Sequence, residues 1–316
     1  MPQQSSDRSI LFHEKTITDL KFHPDGDVFF ASSKDSTASI ISLNGSVLGS
    51  YEKHEGAIST IACARNSLVT AGLDMLLIHW NIVTGNPISS IPTDALIRGL
   101  DFAEQLYVCT DNSMNKETFV GFVDLNTNEI HKITSLNDPA TRVFKYDNCL
   151  IVSSVSGKIY KVDLRNKQIV QEAKVHQSKI TDMKPSTCRS FFITCSSDST
   201  AQIIDSDTFD SKKNFDCEEP INSACIFSTN DKVVCVGGIN ARDVTTTQSK
   251  GAFDTNFFDI VTQQKVGFYS SHFGTINAVD VHPLCTHYVS GGEDGSVHLV
   301  QMGDDFFKAP FTSFEQ

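Results

Sequence analysis

Residues 54–81 read HEGAISTIACARNSLVTAGLDMLLIHWN, and this stretch decides the fold. It opens on His54, carries Thr70 and Asp74 in its second half, and closes near Trp80, the single Trp of the chain. The spacing recurs along the sequence. His54 and Asp74 are 20 residues apart, and a separation of 22 residues is shared by three further pairs: His13 and Asp35, His176 and Asp198, and His272 and Asp294.

The repeat has a period of about 41 residues, the distance from His13 to His54. Steps of this length lead to His176 and then to a unit that opens near Cys217. The last unit opens at His272, 55 residues later, so the sixth unit carries roughly 14 extra residues. Seven units of this length are typical of four-stranded propeller blades. We therefore predict an all-β, seven-bladed WD-repeat β-propeller with antiparallel blades, forming a single domain over residues 1–316.

Short apolar runs between turn residues support strands rather than helices. Val28-Phe29-Phe30 and Leu150-Ile151-Val152 are examples, and Asn-Gly, Pro-Asp-Gly and Gly-Gly separate such runs. The segment Ser9-Ile10-Leu11-Phe12 precedes the first repeat, so we expect it to close the ring as the outer strand of the last blade. Units three and four match the repeat least, because they lack the His.

Composition limits the classes of function. The net charge of −12 argues against direct binding to nucleic acid or to an anionic membrane, and favours basic protein partners. The beginning of the sequence has no apolar signal region, and no apolar run approaches the roughly 20 residues that span a bilayer. Nine scattered Cys without a C-x-x-C pair are typical of a reducing compartment. We expect a cytoplasmic protein.

The recurring residues match the WD-repeat tetrad of His, Ser or Thr, Asp and Trp, which is a structural hydrogen-bond network. Unit two has all four as His54, Thr70, Asp74 and Trp80. Units five and seven have three members each, with Ile204 and Val300 in place of Trp: His176, Thr194 and Asp198, and His272, Ser290 and Asp294. In unit one Ala31 replaces the hydroxyl and Ile41 the Trp.

A hydrolase triad is the alternative for these residues. A triad occurs once and is defined by geometry, whereas this set recurs in one register, and no G-x-S-x-G motif accompanies it. The segment from His282 to His287 has metal-ligand residue types, but its position between two strands favours a solvated loop. Asn44-Gly45-Ser46 is better explained as a hairpin turn than as a glycosylation site. We predict no catalytic residues, no cofactor and no metal.

Three segments carry a resemblance to a known family. Residues 237–247, GGINARDVTTT, resemble the G-G-x-x-A-x-D-V-T-T-T segment of the family of subunit i of eukaryotic translation initiation factor 3. Residues 272–277, HFGTIN, and 290–295, SGGEDG, are similar to that family's H-F-G-P-I-N and S-G-G-E-D-G. The chain departs from the family pattern at Ser271, where a Gly is usual, and in retaining one Trp.

The resemblance implies a non-enzymatic scaffold that docks subunits b and g of initiation factor 3 for assembly on the small ribosomal subunit. It implies a contact with subunit b at Ile203 and Asp205, within residues 202–205, QIID; the alternatives are a core residue at Ile203 and a turn residue at Asp205. A further acidic contact of the family falls at Cys188 here. The other possibilities are a WD-repeat adaptor of another complex, in receptor signalling or ubiquitin ligation, and a propeller hydrolase. The D-V-T-T-T segment favours the initiation-factor scaffold.

Overall fold

The computed structural model describes residues 7–229, 231–239, 253–303 and 306. Its strands form seven separate four-stranded sheets, and every pairing between neighbouring strands is antiparallel. The predicted all-β, seven-bladed propeller with four-stranded blades is confirmed. Of the segment 237–247 that carries the resemblance, residues 240–247, which include all of D-V-T-T-T, lie outside the described residues.

Each blade runs from an innermost to an outermost strand in chain order. Blade 1 contains β2 (Ile17–Phe22), β3 (Val28–Ser33), β4 (Thr37–Ser42) and β5 (Val47–Glu52). Blade 2 contains β6 (Ile58–Ala64), β7 (Ser67–Gly72), β8 (Leu76–Asn81) and β9 (Pro87–Pro92). Blade 3 contains β10 (Ile97–Phe102), β11 (Leu106–Thr110), β12 (Thr118–Asp124) and β13 (Glu129–Leu136), with a 3-10 helix at Ser113–Asn115.

The later blades follow the same order. Blade 4 contains β14 (Ala140–Tyr146), β15 (Cys149–Ser154), β16 (Lys158–Asp163) and β17 (Gln168–Lys174). Blade 5 contains β18 (Ile180–Pro185), β19 (Phe191–Ser196), β20 (Thr200–Asp205) and β21 (Ser211–Asp216). Blade 6 contains β22 (Ile221–Ile226), β23 (Lys232–Gly237), β24 (Asp254–Asp259) and β25 (Lys265–Ser270). The extra residues of the sixth unit fall between β23 and β24.

Blade 7 closes the ring with a strand from the start of the chain. It contains β26 (Ile276–Val281), β27 (His287–Gly292), β28 (Ser296–Gln301) and β1 (Asp7–Leu11). Ile10 pairs with Val297, which confirms the predicted closure. The strand begins two residues earlier than predicted, at Asp7, and ends one residue earlier, because Phe12 lies beyond it. Pairing β28 in this way leaves one sheet edge fewer open to aggregation.

The core consists of seven apolar clusters, one at each contact between adjacent blades. Successive side chains of a strand point to opposite faces, so the second strand of each blade contributes to two clusters. Phe29, for example, packs between blades 7 and 1, whereas Phe30 packs between blades 1 and 2. Burial of both faces is the reason why these strands are continuous apolar runs in the sequence.

Charged residues on the innermost strands tie one blade to the next. Asp19 accepts hydrogen bonds from the Thr60 hydroxyl at 2.9 Å and from the Ile61 amide at 3.2 Å, which joins blades 1 and 2. Three other Asp residues make equivalent contacts with the following blade: Asp101 with the Lys145 amide, Asp182 with the Ser223 hydroxyl, and Asp280 with the Phe22 amide. Within the described residues, no helix has the length and apolar character needed to cross a membrane.

Candidate functional site

The tetrad of blade 2 is a continuous chain of hydrogen bonds. The Trp80 Nε1–H donates to Thr70 Oγ1 at 2.9 Å, and Thr70 Oγ1 lies 2.7 Å from His54 Nε2. His54 Nδ1 lies 2.9 Å from a carboxylate oxygen of Asp74. Since the Asp accepts, the Nδ1 atom carries the proton and the Thr hydroxyl donates to Nε2. The network joins the loop before β6 to β7, to β8 and to the turn between them.

Blade 5 holds its predicted residues in the same arrangement. His176 Nε2 lies 2.9 Å from Thr194 Oγ1, and His176 Nδ1 lies 3.3 Å from Asp198. Thr200, two residues after the Asp, approaches His176 Nδ1 at 3.0 Å and donates to Asp198 at 2.6 Å. Burial lowers the pKa of His176 against the opposing effect of Asp198. The sequence argument missed Thr200, although the D-S-T order in the turn was visible.

Blade 7 repeats the geometry with Ser residues. His272 Nε2 lies 2.9 Å from Ser290 Oγ, and His272 Nδ1 lies 3.2 Å from Ser296 Oγ. Asp294 is more distant, at 3.6 Å from Nδ1. Burial and the neighbouring His298 lower the pKa of His272 to about 4, so this ring is neutral at physiological pH.

Blade 1 completes its network with a residue that the motif did not predict. His13 Nδ1 lies 2.9 Å from Asp35, as the spacing suggested, and His13 Nε2 lies 2.9 Å from Ser39 Oγ. Ser39 belongs to β4 and pairs directly with Ala31 of β3, the position that carries the hydroxyl in blades 2, 5 and 7. The missing hydroxyl is therefore supplied from the neighbouring strand.

Blades 3 and 4 use other groups. In blade 3, the Arg98 Nε–H donates to Asp111 at 2.6 Å. In blade 4, Asp138 accepts hydrogen bonds from the Ser156 hydroxyl at 2.6 Å and from the Tyr160 hydroxyl. Blades 3 and 4, which lack the tetrad His, therefore have polar networks of a different composition.

These networks have the properties of structural elements. All four His side chains are buried and use both ring nitrogens in contacts within the protein: His13, His54, His176 and His272. The described residues contain no group of three or more His, Cys, Asp or Glu side chains suited to a metal ion. Buried, fully bonded imidazoles repeated in one register stabilise a fold.

The segment from His282 to His287 is not the solvated loop that we expected. His282 and Cys285 are buried, and His282 Nε2 lies 3.0 Å from the Gly26 carbonyl of blade 1. The Leu284 amide donates to His282 Nδ1, so the Nε2–H is the donor to Gly26. The turn is therefore a structural contact between blades 7 and 1.

Ile203 is placed in the core, so its side chain is not available to a partner as the resemblance suggested. It is 4% exposed and packs in the cluster between blades 5 and 6. Its position in the middle of β20 explains this, because both faces of a third strand are covered by neighbouring blades.

Asp205 ends β20 and caps the turn that follows it. Its Oδ1 accepts hydrogen bonds from the amides of Asp207 at 2.9 Å and Thr208 at 3.1 Å, which lower the pKa of the Asp205 carboxyl. Its Oδ2 lies 4.0 Å from Lys212 Nζ, and the side chain is 33% exposed. The same capping occurs at the equivalent residue of four other blades: Asn81, Asp124, Asp163 and Asp259. Asp205 therefore has a structural role that does not depend on a partner.

The turn at residues 205–211, here called the blade 5 hairpin, is held by blade 4, and the strand that follows it, β21, contacts blade 6. From blade 4, Gln171 Nε2 donates to the Thr208 carbonyl at 2.8 Å and Lys161 Nζ donates to the Ser206 carbonyl at 3.2 Å. From β21, Lys213 Nζ donates to the carbonyl of Val261 in blade 6, whose side chain is 73% exposed. These contacts give the side of the ring at blades 4 to 6 a fixed shape.

Cys188 is exposed on the hairpin between β18 and β19, which lies beside the blade 5 hairpin, since the Ser206 hydroxyl donates to the Arg189 carbonyl at 2.7 Å. Its thiol approaches the hydroxyls of Ser186 at 3.3 Å and Ser190 at 2.9 Å, and these hydrogen bonds lower its pKa. The position holds no carboxylate, so it does not provide the acidic contact that the resemblance implied for it.

Comparison with known proteins gives a consistent result over almost the whole chain. The EIF3I family profile matches residues 9–312. The chain is 34% identical over 317 residues to eukaryotic translation initiation factor 3 subunit I of Drosophila willistoni, with 95% of this chain and 98% of that protein aligned. It is 32% identical to the Homo sapiens protein of the same name, over 95% and 97%. For the Kluyveromyces lactis protein of that name, identity is 33%, over 93% and 91%.

Proposed function

Since this chain belongs to the family of eukaryotic translation initiation factor 3 subunit I, we propose that it is a non-enzymatic scaffold that docks subunits b and g. The complex so assembled acts on the small ribosomal subunit, in the cytoplasm. The observation that carries the scaffold role is the repeated tetrad: its four buried His side chains are all engaged in hydrogen bonds that join strands and turns. A ring stabilised in this way offers rigid side and face surfaces to protein partners.

The blade 5 hairpin is the proposed docking site for subunit b. Gln171 and Lys161 hold its backbone, so a partner would not have to order it on binding. Its carboxylates Asp205, Asp207 and Asp210 face solvent to different degrees, with side chains 33%, 71% and 66% exposed. Together with the net charge of −12, they favour a basic segment of the partner.

The capping role of Asp205 determines how the proposal is tested. Asn81 caps the equivalent turn of blade 2, so Asp205→Asn keeps the turn and removes only the charge. Asp205→Arg removes the cap and reverses the charge. Asp163 caps the equivalent turn of blade 4, so Asp163→Asn and Asp163→Arg are matched controls. Each purified variant is titrated with the C-terminal segment of subunit b, and thermal melts are recorded in parallel.

We expect Asp205→Asn to weaken binding severalfold without changing the melting temperature, and Asp205→Arg to weaken it further. The Asp163 variants should bind as the unchanged chain does. If the unchanged chain and Asp205→Asn bind with equal affinity, the charge of Asp205 does not contribute to the interface. If no segment of subunit b binds to the unchanged chain, docking at this surface is wrong, and capture from cytosol would then identify the partners.

The non-enzymatic part has a separate test. His54→Ala leaves Thr70 and Asp74 without their buried partner, so it should lower the free energy of unfolding by about 1–3 kcal/mol. A hydrolytic activity that disappears in His54→Ala while the melting temperature is unchanged would contradict a scaffold without catalysis.

A further inference from the structure

A cavity of about 390 Å³ lies among the innermost strands of blades 2 to 5. Its walls carry three cationic side chains, Arg98, Arg142 and Lys179, and one carboxylate, Asp111. Hydroxyl groups of Ser59, Thr141 and Thr181 complete the polar lining. Asp182, behind the wall, pairs with Arg142, so three cations and two carboxylates leave a local excess of one positive charge in a chain whose net charge is −12.

Two of the three cations lie on the innermost strands of blades 3 and 4, and Lys179 directly precedes the innermost strand of blade 5. The second residue of the innermost strand is small and polar in six blades, and it is Arg98 in blade 3: Thr18, Ser59, Arg98, Thr141, Thr181, Asn222 and Asn277. The third residue of that strand is a cation in blade 4 alone, Arg142. Blades 3 and 4 also lack the tetrad His, as does blade 6, whose unit opens near Cys217. Local departures from a structural rule occur where function requires them.

The two guanidinium groups are held in fixed positions. The Arg142 Nε–H donates to Asp182 at 2.8 Å, and its Nη1–H donates to the Arg98 carbonyl at 2.7 Å. Gly99 permits this approach, because a Cβ at position 99 would lie 2.8 Å from Arg142 Cα and 2.9 Å from the Val143 nitrogen. Arg98 is in turn fixed by Asp111 at 2.6 Å. Binding an anion would therefore cost little ordering of either arginine.

Lys179 is the cation that lacks a counter-charge. Among the described residues it has no ion pair within 4.0 Å. Its pKa is lowered, first by partial loss of hydration and then by repulsion from Arg98 and Arg142. An anion placed between the three cations would relieve this repulsion and gain charge-assisted hydrogen bonds.

We propose that this cavity binds the phosphate group of a phosphorylated peptide side chain. A phosphate monoester carries close to two negative charges and three strong acceptor oxygens, so it can compensate Lys179 and at the same time accept hydrogen bonds from the arginines, whereas a carboxylate offers two oxygens and one charge. Planar guanidinium groups present paired donors to phosphate oxygens. A polyanion such as RNA would bring its neighbouring phosphates over an acidic surface, which disfavours it. This site goes beyond the docking of other subunits at the blade 5 hairpin.

The test uses two small probes, N-acetyl-phosphoserine methylamide and the corresponding glutamate derivative, titrated into the full chain by calorimetry or NMR. Lys179→Gln removes the unpaired charge without breaking an internal pair. Lys15→Gln is the matched control, because Lys15 is an exposed residue of the corresponding loop of blade 1. Arg98→Lys keeps the charge but removes the paired donors.

We expect the phosphoserine probe to bind, with affinity about tenfold lower in Lys179→Gln and in Arg98→Lys and unchanged in Lys15→Gln. The glutamate probe should bind at least tenfold more weakly. Absence of binding, equal loss in Lys15→Gln, or equal affinity for the two probes would overturn the proposal. Melting temperatures show whether Arg98→Lys is folded, and Lys179→Gln gives the result independently if it is not. None of these outcomes depends on binding of subunit b.

Discussion

Ser39 Oγ lies 2.9 Å from His13 Nε2 and takes the place of a hydroxyl that the preceding strand supplies in other blades. Ala31, the residue directly opposite Ser39, has no hydroxyl. The hydrogen bond is therefore kept although the residue that makes it has moved from β3 to β4. What the fold requires is a hydroxyl at one point in space, and either strand can deliver it.

This relationship predicts a compensating pair of substitutions. Ser39→Ala should lower the free energy of unfolding by about 1 kcal/mol, because His13 Nε2 is left buried without a partner. Ala31→Ser added to Ser39→Ala should recover most of the loss, since blade 7 carries Ser290 at that position. Urea unfolding measures both changes. Ser46→Ala, in an exposed turn, is the control. A double variant less stable than Ser39→Ala alone would contradict the interchange.

His272 predicts a loss of stability in mild acid. Its pKa is about 4 in the folded chain, against roughly 6.5 when unfolded, so between these values the unfolded chain binds more protons. The free energy of unfolding should therefore fall as the pH drops below about 6.5, by on the order of 2 kcal/mol from this residue at pH 5. Urea titrations from pH 7.5 to pH 5 measure the slope.

Two variants assign that slope to His272. His272→Gln should show a smaller decrease over the same range, because the titrating group is absent. His131→Gln should keep the full decrease, since His131 is on an outer strand and is largely exposed. The same slope in His272→Gln as in the unchanged chain would show that other groups cause the effect.

The buried position of Lys184 predicts that the free energy of unfolding depends strongly on the charge of this side chain. Its Nζ lies 3.6 Å from Asp182 and 3.9 Å from Asp280, and it donates to the Val279 carbonyl. Burial opposes the charge, but the neighbouring Cys225, Asp182 and Asp280 outweigh it and raise the pKa of Lys184. Lys184→Met should lower the free energy of unfolding by roughly 3 kcal/mol, because two carboxylates lose a buried partner. Lys174→Met, on the exposed face of β17, should change it little; comparable losses would contradict the prediction.

Ring closure predicts different effects at two adjacent positions of β1. Ile10 is 8% exposed and packs in the cluster between blades 7 and 1, whereas Leu11 is 77% exposed. Ile10→Glu should lower the free energy of unfolding by about 2–3 kcal/mol and promote aggregation by freeing the edge of β28. Leu11→Glu should do neither. Thermal melts and light scattering compare them, and equal behaviour of the two variants would show that β1 does not hold the ring closed.

The sequence predicted the parts that depend on local pattern. The spacing of His54, Thr70 and Asp74 recurs because each blade needs the same polar link between its strands and turns. The continuous apolar runs mark strands that are buried on both faces. The segment around Ile10 was recognised as the closing strand because it is apolar and precedes the first unit. Motif position did not show that Ile203 is buried or that Asp205 caps its turn, because both depend on what lies next to β20.

By itself, then, the sequence determined the number and order of the blades and the identity of most tetrad residues, since these follow from periodicity within about 41 residues. The tertiary structure alone decided which distant residues meet. Arg98 and Arg142 are 44 residues apart in the chain, yet the Arg142 Nη1–H donates to the Arg98 carbonyl. Likewise, the Ser39 hydroxyl on β4 takes the place of the hydroxyl that Ala31 on β3 lacks, because the two residues lie opposite each other in the sheet. Hydrogen bonds and charges act through space, so residues on different strands can satisfy one requirement, and no pattern along a single strand reveals which of them does.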